Sequence, residues 1–297
     1  MFKNDANQVR AGWILLLAAV SMFVGQQLFA LPGVFVLLFT DSSSMMTGSE
    51  ADLLASFDDY PWIFLLTQGG GTIGGMLVTV LLWKFLNKGT LQTLGFRRPL
   101  KDLGFGLLLG AISIVLIFII LYATGDVTLL KPFSQPEFSV YTLTFLLLFI
   151  LVGFFEEMFF RGYVMRTMAD RGNPKWLIYI VSAVIFSLAH GMNPNVSLIG
   201  LLNIALVGVL FAYMFDVTKS LWLPIGYHIT WNYVQGNVFG FPVSGTTPHG
   251  IYSISVEGGN ELLTGGAFGL EGGMLATLLI VLGFLATRVY EKMRGDA

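Results

Sequence analysis

The sequence predicts an all-α membrane protein that crosses the bilayer about eight times. The chain has 297 residues, of which 55% are hydrophobic and only 11% are charged. A soluble domain carries about 25% charged residues, so this chain cannot cover its surface with polar groups, and lipid must act as its solvent. The net charge of −2 without a basic cluster argues against nucleic acid as a partner. The absence of cysteine excludes disulfides and thiolate catalysis.

Eight apolar segments approach the roughly 20 residues that a membrane-spanning helix needs. They are residues 11–39, 61–86, 103–124, 140–160, 176–190, 197–215, 220–238 and 273–290. The first, which Pro32 interrupts, lacks a signal-peptide cleavage site, so we expect it to be a retained helix. The fifth and sixth are short and flank Asn193-Pro194, which predicts a break or a re-entrant piece there.

The distribution of lysine and arginine predicts the orientation. With the N-terminus in the cytosol, 14 of the 16 cationic residues fall on the cytosolic side and only Lys131 lies outside. The positive-inside rule therefore favours a protein of the cell (inner) membrane with both termini in the cytoplasm. We expect residues 1–297 to form one integral membrane domain, with an acidic outer loop over 41–60 and a glycine-rich outer loop over 239–272 that exposes His249.

Glycines at four-residue spacing indicate close helix packing. Two overlapping pairs lie in residues 68–75, and Gly106 and Gly110 form another. Small residues at this spacing let two helix backbones approach each other in a membrane, so we expect these glycines to serve packing alone.

A few polar residues interrupt the apolar segments. Ionisable groups inside membrane helices are costly and usually functional. The fourth segment contains Glu156, Glu157 and Arg161, the fifth contains His190, and the seventh contains His228 and Asn232. Singly, they could be a structural ion pair, a helix cap or interhelical hydrogen bonds. Together, they predict a functional site on three helices.

Helical spacing separates the roles of these residues. Glu157 and Arg161 are four residues apart with the acid first, which favours an ion pair. Glu156 points about 100° away around the helix and is free to face a cavity. In an antiparallel hairpin that turns near Asn173-Pro174, His190 lies level with Glu156 and could pair with it.

The seventh segment places two hydrogen-bond donors on one helix face. His228 and Asn232 are four residues apart, so both can point at a single oxygen. A carboxylate beside a histidine can take a proton from water, and two donors can stabilise an oxyanion. The pattern therefore favours hydrolysis of an amide or ester.

Two other mechanisms are less favoured. Ser187 lies near His190 on one helical face, but no nucleophile motif surrounds it. A zinc site built from His190, His228 and a glutamate would need ligands from separate helices, and the chain has no His-Glu-x-x-His motif. We therefore expect no cofactor.

The three motifs together resemble a known family. Glu156-Glu157-x-x-x-Arg161, Phe186-x-x-x-His190 and His228-x-x-x-Asn232 are similar to the motifs of the CAAX prenyl protease and bacteriocin-processing family, abbreviated CPBP or Abi. The resemblance covers about residues 140–245, and its last stretch, Gly240 to Gly245, looks like bacterial members.

The resemblance implies an intramembrane glutamic endopeptidase. Glu156, assisted by His190, would activate the attacking water, and His228 with Asn232 would form the oxyanion hole. Glu157 and Arg161 would support the site or help to hold substrate. We expect the substrate to be a membrane-associated protein or peptide. The alternatives are a non-enzymatic scaffold or bacteriocin self-immunity protein, and a proton-coupled transporter.

Overall fold

The computed structural model describes residues 3, 8–41, 59–97, 99–256 and 258–295. Nearly all of the predicted acidic loop over 41–60 lies outside these residues. Within them, the chain forms ten helices of four residues or more. In chain order these are α1 (Ala11–Thr40), α2 (Pro61–Phe85), α3 (Leu91–Leu94), α4 (Pro99–Thr124), α5 (Val140–Asp170), α6 (Lys175–Ala189), α7 (Leu198–Thr218), α8 (Trp222–Tyr233, continued by π-helical Val234–Val238), α9 (Glu261–Thr264) and α10 (Met274–Gly295).

Eight of these helices coincide with the eight predicted apolar segments, and the chain is an all-α polytopic membrane protein. In the described part of the chain, six helices are long and apolar enough to cross a membrane by length and composition, namely α1, α2, α4, α5, α7 and α10. Large apolar side chains such as Leu16, Val20 and Phe23 of α1 are more than half exposed. Such a surface is suited to lipid.

The predicted lengths of the fifth and sixth segments are only half right. The fifth segment is short, since α6 has 15 residues. The prediction for the sixth is wrong, because α7 has 21 residues and continues to Thr218. The predicted break is confirmed: the chain is not helical between Ala189 and Leu198.

Glycines bring α8 into contact with two neighbouring helices. A Cβ atom on Gly106 or Gly110 of α4 would overlap backbone atoms of α8, so the predicted close packing of this pair is confirmed. Gly153 of α5 faces α8 from another side, where an added Cβ would lie 2.8 Å from Ile229. These approaches bring the motif residues of α5 and α8 together.

The glycine-rich loop after α8 folds back onto the helix ends. Phe241, Phe268 and Leu270 are almost fully buried. A two-residue antiparallel ribbon joins this loop to the one after α4, and it pairs Thr128 with Ser255 and Leu129 with Ile254. His249 is exposed, as expected, and its ring packs against Tyr141. The loop is therefore a packed structural layer that closes one end of the bundle.

Candidate functional site

Glu157 and Arg161 form a fully buried ion pair. Both side chains have no exposed surface, and Oε1 of Glu157 lies 2.9 Å from an η-nitrogen of Arg161. The predicted pair is therefore present. The guanidinium also lies over the rings of Phe186 and Phe211, at 4.2 and 5.0 Å from their centroids. These aromatic faces favour the cation electrostatically.

Glu157 also contacts His228, which the sequence did not predict. Its Oε1 lies 3.0 Å from Nδ1 of His228. Arg161, Glu157 and His228 therefore form one continuous chain of polar contacts from α5 to α8. No spacing within the sequence links these two helices, so only their packing reveals the contact.

Glu156 faces away from the ion pair and lines a cavity. Its side chain is 18% exposed, and its Oε2 lies 3.7 Å from Nε2 of His228. That oxygen is buried and accepts no hydrogen bond from the described residues. The two adjacent carboxylates thus have different surroundings. Glu157 is paired within the protein, and Glu156 is available to a molecule in the cavity.

His190 follows the last residue of α6 and lines the same cavity. Its Nδ1 lies 2.9 Å from the carbonyl oxygen of Phe186. A carbonyl oxygen can only accept, so Nδ1 carries the proton, and Nε2 of the neutral ring is an acceptor. The expected direct pair with Glu156 is absent from the hydrogen bonds of the described residues. Glu156 instead lies nearer to His228.

Asn232 lies one turn after His228 on α8, and both residues line the cavity. They are 9% and 7% exposed. The π-helical segment Val234–Val238 begins directly after this turn, and another, Met158–Val164, begins directly after Glu157. Such local widening of a helix often occurs at functional sites, and nothing in the sequence predicted it.

The cavity has a volume of about 200 Å³. Its polar lining includes Glu156, His190, Asn193, Asn203, His228, Asn232, Ser244, Thr246 and Glu271. The remaining wall is mainly aliphatic and aromatic. The structure therefore brings together the four residues that the sequence singled out as working groups. A largely apolar cavity with a few convergent polar groups is typical of a ligand-binding site.

Glu271 is a cavity residue that the sequence analysis missed. It is 7% exposed and lies in the short turn Leu270–Gly272, inside the glycine-rich loop. Burial raises the pKa of its carboxyl group, and hydrogen bonds from Gln235 and Ser244 oppose this effect. An isolated acid in a loop gives no helical periodicity, so the sequence offered no signal for it.

The structure also shows the surroundings of the residues that a serine mechanism or a zinc site would use. The hydroxyl of Ser187 donates to the carbonyl oxygen of Leu201 at 2.7 Å, so this hydroxyl is engaged in a contact between α6 and α7. Among the described residues, no group of three or more His, Asp or Glu side chains is arranged to hold a metal ion.

One comparison with known proteins gives a match. Residues 138–234 match the family model described as type II CAAX prenyl endopeptidase Rce1-like. The match contains all three motifs and ends before Gly240, so the stretch from Gly240 to Gly245 lies outside it. No curated protein and no solved structure gives a significant match to the chain. The motif-bearing helices of this protein, over residues 138–234, are therefore similar to the type II CAAX prenyl endopeptidases of the Rce1-like family.

Proposed function

We propose that this chain is an intramembrane endopeptidase that hydrolyses a peptide bond of a membrane-associated protein or peptide. The family match supports protease activity in a membrane. The observation that carries the proposal is the common cavity lined by Glu156, His190, His228 and Asn232.

Glu156 is the proposed general base. Its side chain is 18% exposed and lines the cavity, so the carboxylate can take a proton from water as the water oxygen attacks the substrate carbonyl carbon. The Nε2 lone pair of His190 is a second acceptor that orients this water. Glu156 then passes the proton to the leaving amine nitrogen, which completes the hydrolysis.

His228 and Asn232 are the proposed oxyanion donors. Donation from Nε2 of His228 requires a proton there, while Nδ1 donates to Glu157. The ring is then an imidazolium between two carboxylates, since Glu156 lies 3.7 Å from Nε2. Two anions, Glu156 and Glu157, are balanced by two cations, Arg161 and His228.

We further propose that both termini are cytoplasmic and that the protein resides in the cell (inner) membrane. The support is the position of 14 of 16 cationic residues on one side of the predicted topology. Because the chain has no cysteine, single substitutions such as Lys292→Cys and Ser134→Cys can be labelled in intact cells. Only the second should react with a membrane-impermeant thiol reagent. Labelling of Lys292→Cys alone would overturn the orientation.

The test of the activity is comparative membrane proteomics of cells that carry the wild type or Glu156→Gln. We expect at least one membrane-associated protein or peptide to accumulate uncut in the variant. Glu261→Gln, an exposed acid on the outer loop, is the matched control and should resemble the wild type. Identical profiles for all three would favour a non-enzymatic scaffold. Since the proposed mechanism uses no metal, cleavage should survive strong chelation.

A further inference from the structure

Glu271 is the second acidic residue that lines the cavity, after Glu156. Its side chain comes from the turn Leu270–Gly272, whereas Glu156 comes from α5, and both line the same space. Asn203 of α7 fixes the turn, since its amide donates to the backbone oxygen of Glu271 at 2.8 Å. The carboxylate is therefore held in place by the fold.

The groups that hold this carboxylate are all neutral. Nε2 of Gln235 lies 2.6 Å from its Oε2, and the hydroxyl of Ser244 lies 3.2 Å from its Oε1. The same Gln235 nitrogen also donates to the carbonyl oxygen of Pro242 at 2.6 Å. These contacts orient the carboxylate but do not neutralise it.

No lysine or arginine of the described residues lines the cavity, and Arg161 is engaged with Glu157. The proposed imidazolium of His228 lies beside Glu156 and Glu157 rather than Glu271. A buried carboxylate without a counter-ion is costly, and the raised pKa of Glu271 reflects that cost. A ligand that brings a positive charge would relieve it, and a ligand that brings a negative charge would increase it.

We propose that Glu271 is a specificity-determining residue that accepts a basic side chain, lysine or arginine, of the substrate near the scissile bond. This inference rests on the proposed function, because it assigns the substrate class of the same cavity. The aliphatic stem of the basic side chain would pack on apolar lining such as Ile204, Val207 and Ile280. Its charged head would reach the carboxylate. An acidic side chain or a free C-terminal carboxylate at this place would be disfavoured.

The test uses short, internally quenched peptides in detergent micelles, in matched sets that carry lysine, norleucine or glutamate at one position. We expect one position at which the wild type prefers lysine over norleucine in kcat/KM by about tenfold or more, as for a charged hydrogen bond. Glutamate should be the poorest of the three. Glu271→Gln should bring the lysine and norleucine rates together by lowering the lysine rate.

Two variants serve as controls. Glu261→Gln removes the same charge from an exposed position of the same loop and should keep the lysine preference. Glu271→Asp keeps the charge in the cavity and should keep most of the lysine preference. This variant provides the test if Glu271→Gln does not fold. The wild-type comparison needs no variant, and equal rates for lysine and norleucine at every position would overturn the proposal. An unchanged preference in folded Glu271→Gln would do the same.

A binding measurement separates this inference from the proposed activity. Fluorescence polarisation with labelled peptides is carried out on Glu156→Gln and on Glu156→Gln/Glu271→Gln. If the wild type cleaves none of the peptides, the proposed function fails on that result. The subsite would still be supported if Glu156→Gln binds the lysine peptide more tightly than the norleucine peptide and Glu156→Gln/Glu271→Gln does not. Equal binding of lysine and norleucine peptides to Glu156→Gln would refute it.

Discussion

Oε1 of Glu157 lies 3.0 Å from Nδ1 of His228 and 2.9 Å from the guanidinium of Arg161. One carboxylate oxygen thus connects the buried cation of α5 to the imidazole of α8. A histidine whose Nδ1 is bonded to a carboxylate has a fixed ring orientation and presents Nε2 elsewhere. Here Nε2 lies 3.7 Å from Oε2 of Glu156. Glu157 therefore positions His228 as well as pairing with Arg161.

The first prediction concerns this contact. Glu157→Gln should lower the free energy of unfolding by about 3–5 kcal/mol, because it leaves a fully buried guanidinium without its anion. Chemical denaturation in detergent measures the change. Glu157→Gln/Arg161→Met should recover part of the loss, since it removes both charges. Glu156→Gln is the matched control, and an equal loss of stability in it would contradict the division of roles.

The second prediction concerns the oxyanion donors. Asn232→Ala should lower kcat by about 100- to 1,000-fold, which is typical for loss of one such donor. KM should change little, because the donor acts mainly on the transition state. Asn87→Ala, which removes an amide bonded to Thr167 outside the cavity, should leave both constants unchanged. A large rise in KM with unchanged kcat would assign Asn232 to substrate binding.

The third prediction concerns helix packing. Gly106→Ala should reduce both stability and activity, because its Cβ would overlap the backbone of α8 near Leu223 and Tyr227 and displace the helix that carries His228. Gly104→Ala on the same helix meets no atom within 4 Å and should be neutral or slightly stabilising. Thermal unfolding and cleavage rates of the two variants provide the comparison. Equal behaviour of both would argue against close packing of α4 on α8.

The fourth prediction concerns pH. Burial raises the pKa of Glu271 above its ordinary value of 4.5, so the folded state holds this proton at pH values where the unfolded state has lost it. The contribution of Glu271 to stability therefore falls as pH rises from about 4.5 through the raised pKa. Glu271→Gln cannot titrate, so its Tm relative to wild type should increase over this range.

The comparison of the two proteins at each pH isolates the effect of Glu271. The other titratable groups of the cavity, Glu156, His190 and His228, are present in both. The neutral groups Gln235 and Ser244 that hold the carboxylate are also unchanged. A Tm difference that is independent of pH, or that decreases as pH rises, would contradict the buried charge.

Much of the fold could be predicted because lipid imposes a simple rule on sequence. Apolar segments of sufficient length become helices, and polar residues inside them stand out, as Glu156 and His228 do. Contacts between helices depend on rotation and depth, which spacing within one helix does not determine. The bond from Glu157 to His228 was missed for that reason. Glu271 was missed because it reaches the cavity from a loop.

The cleavage rate of purified Glu156→Gln in lipid vesicles tests the role of Glu156 most directly. The substrate is the uncut protein that membrane proteomics identifies. We expect a loss of about 100- to 10,000-fold relative to wild type, the range for removal of a general base, with an unchanged Tm. Undiminished cleavage by the folded variant would contradict the assignment of Glu156 as the group that activates water.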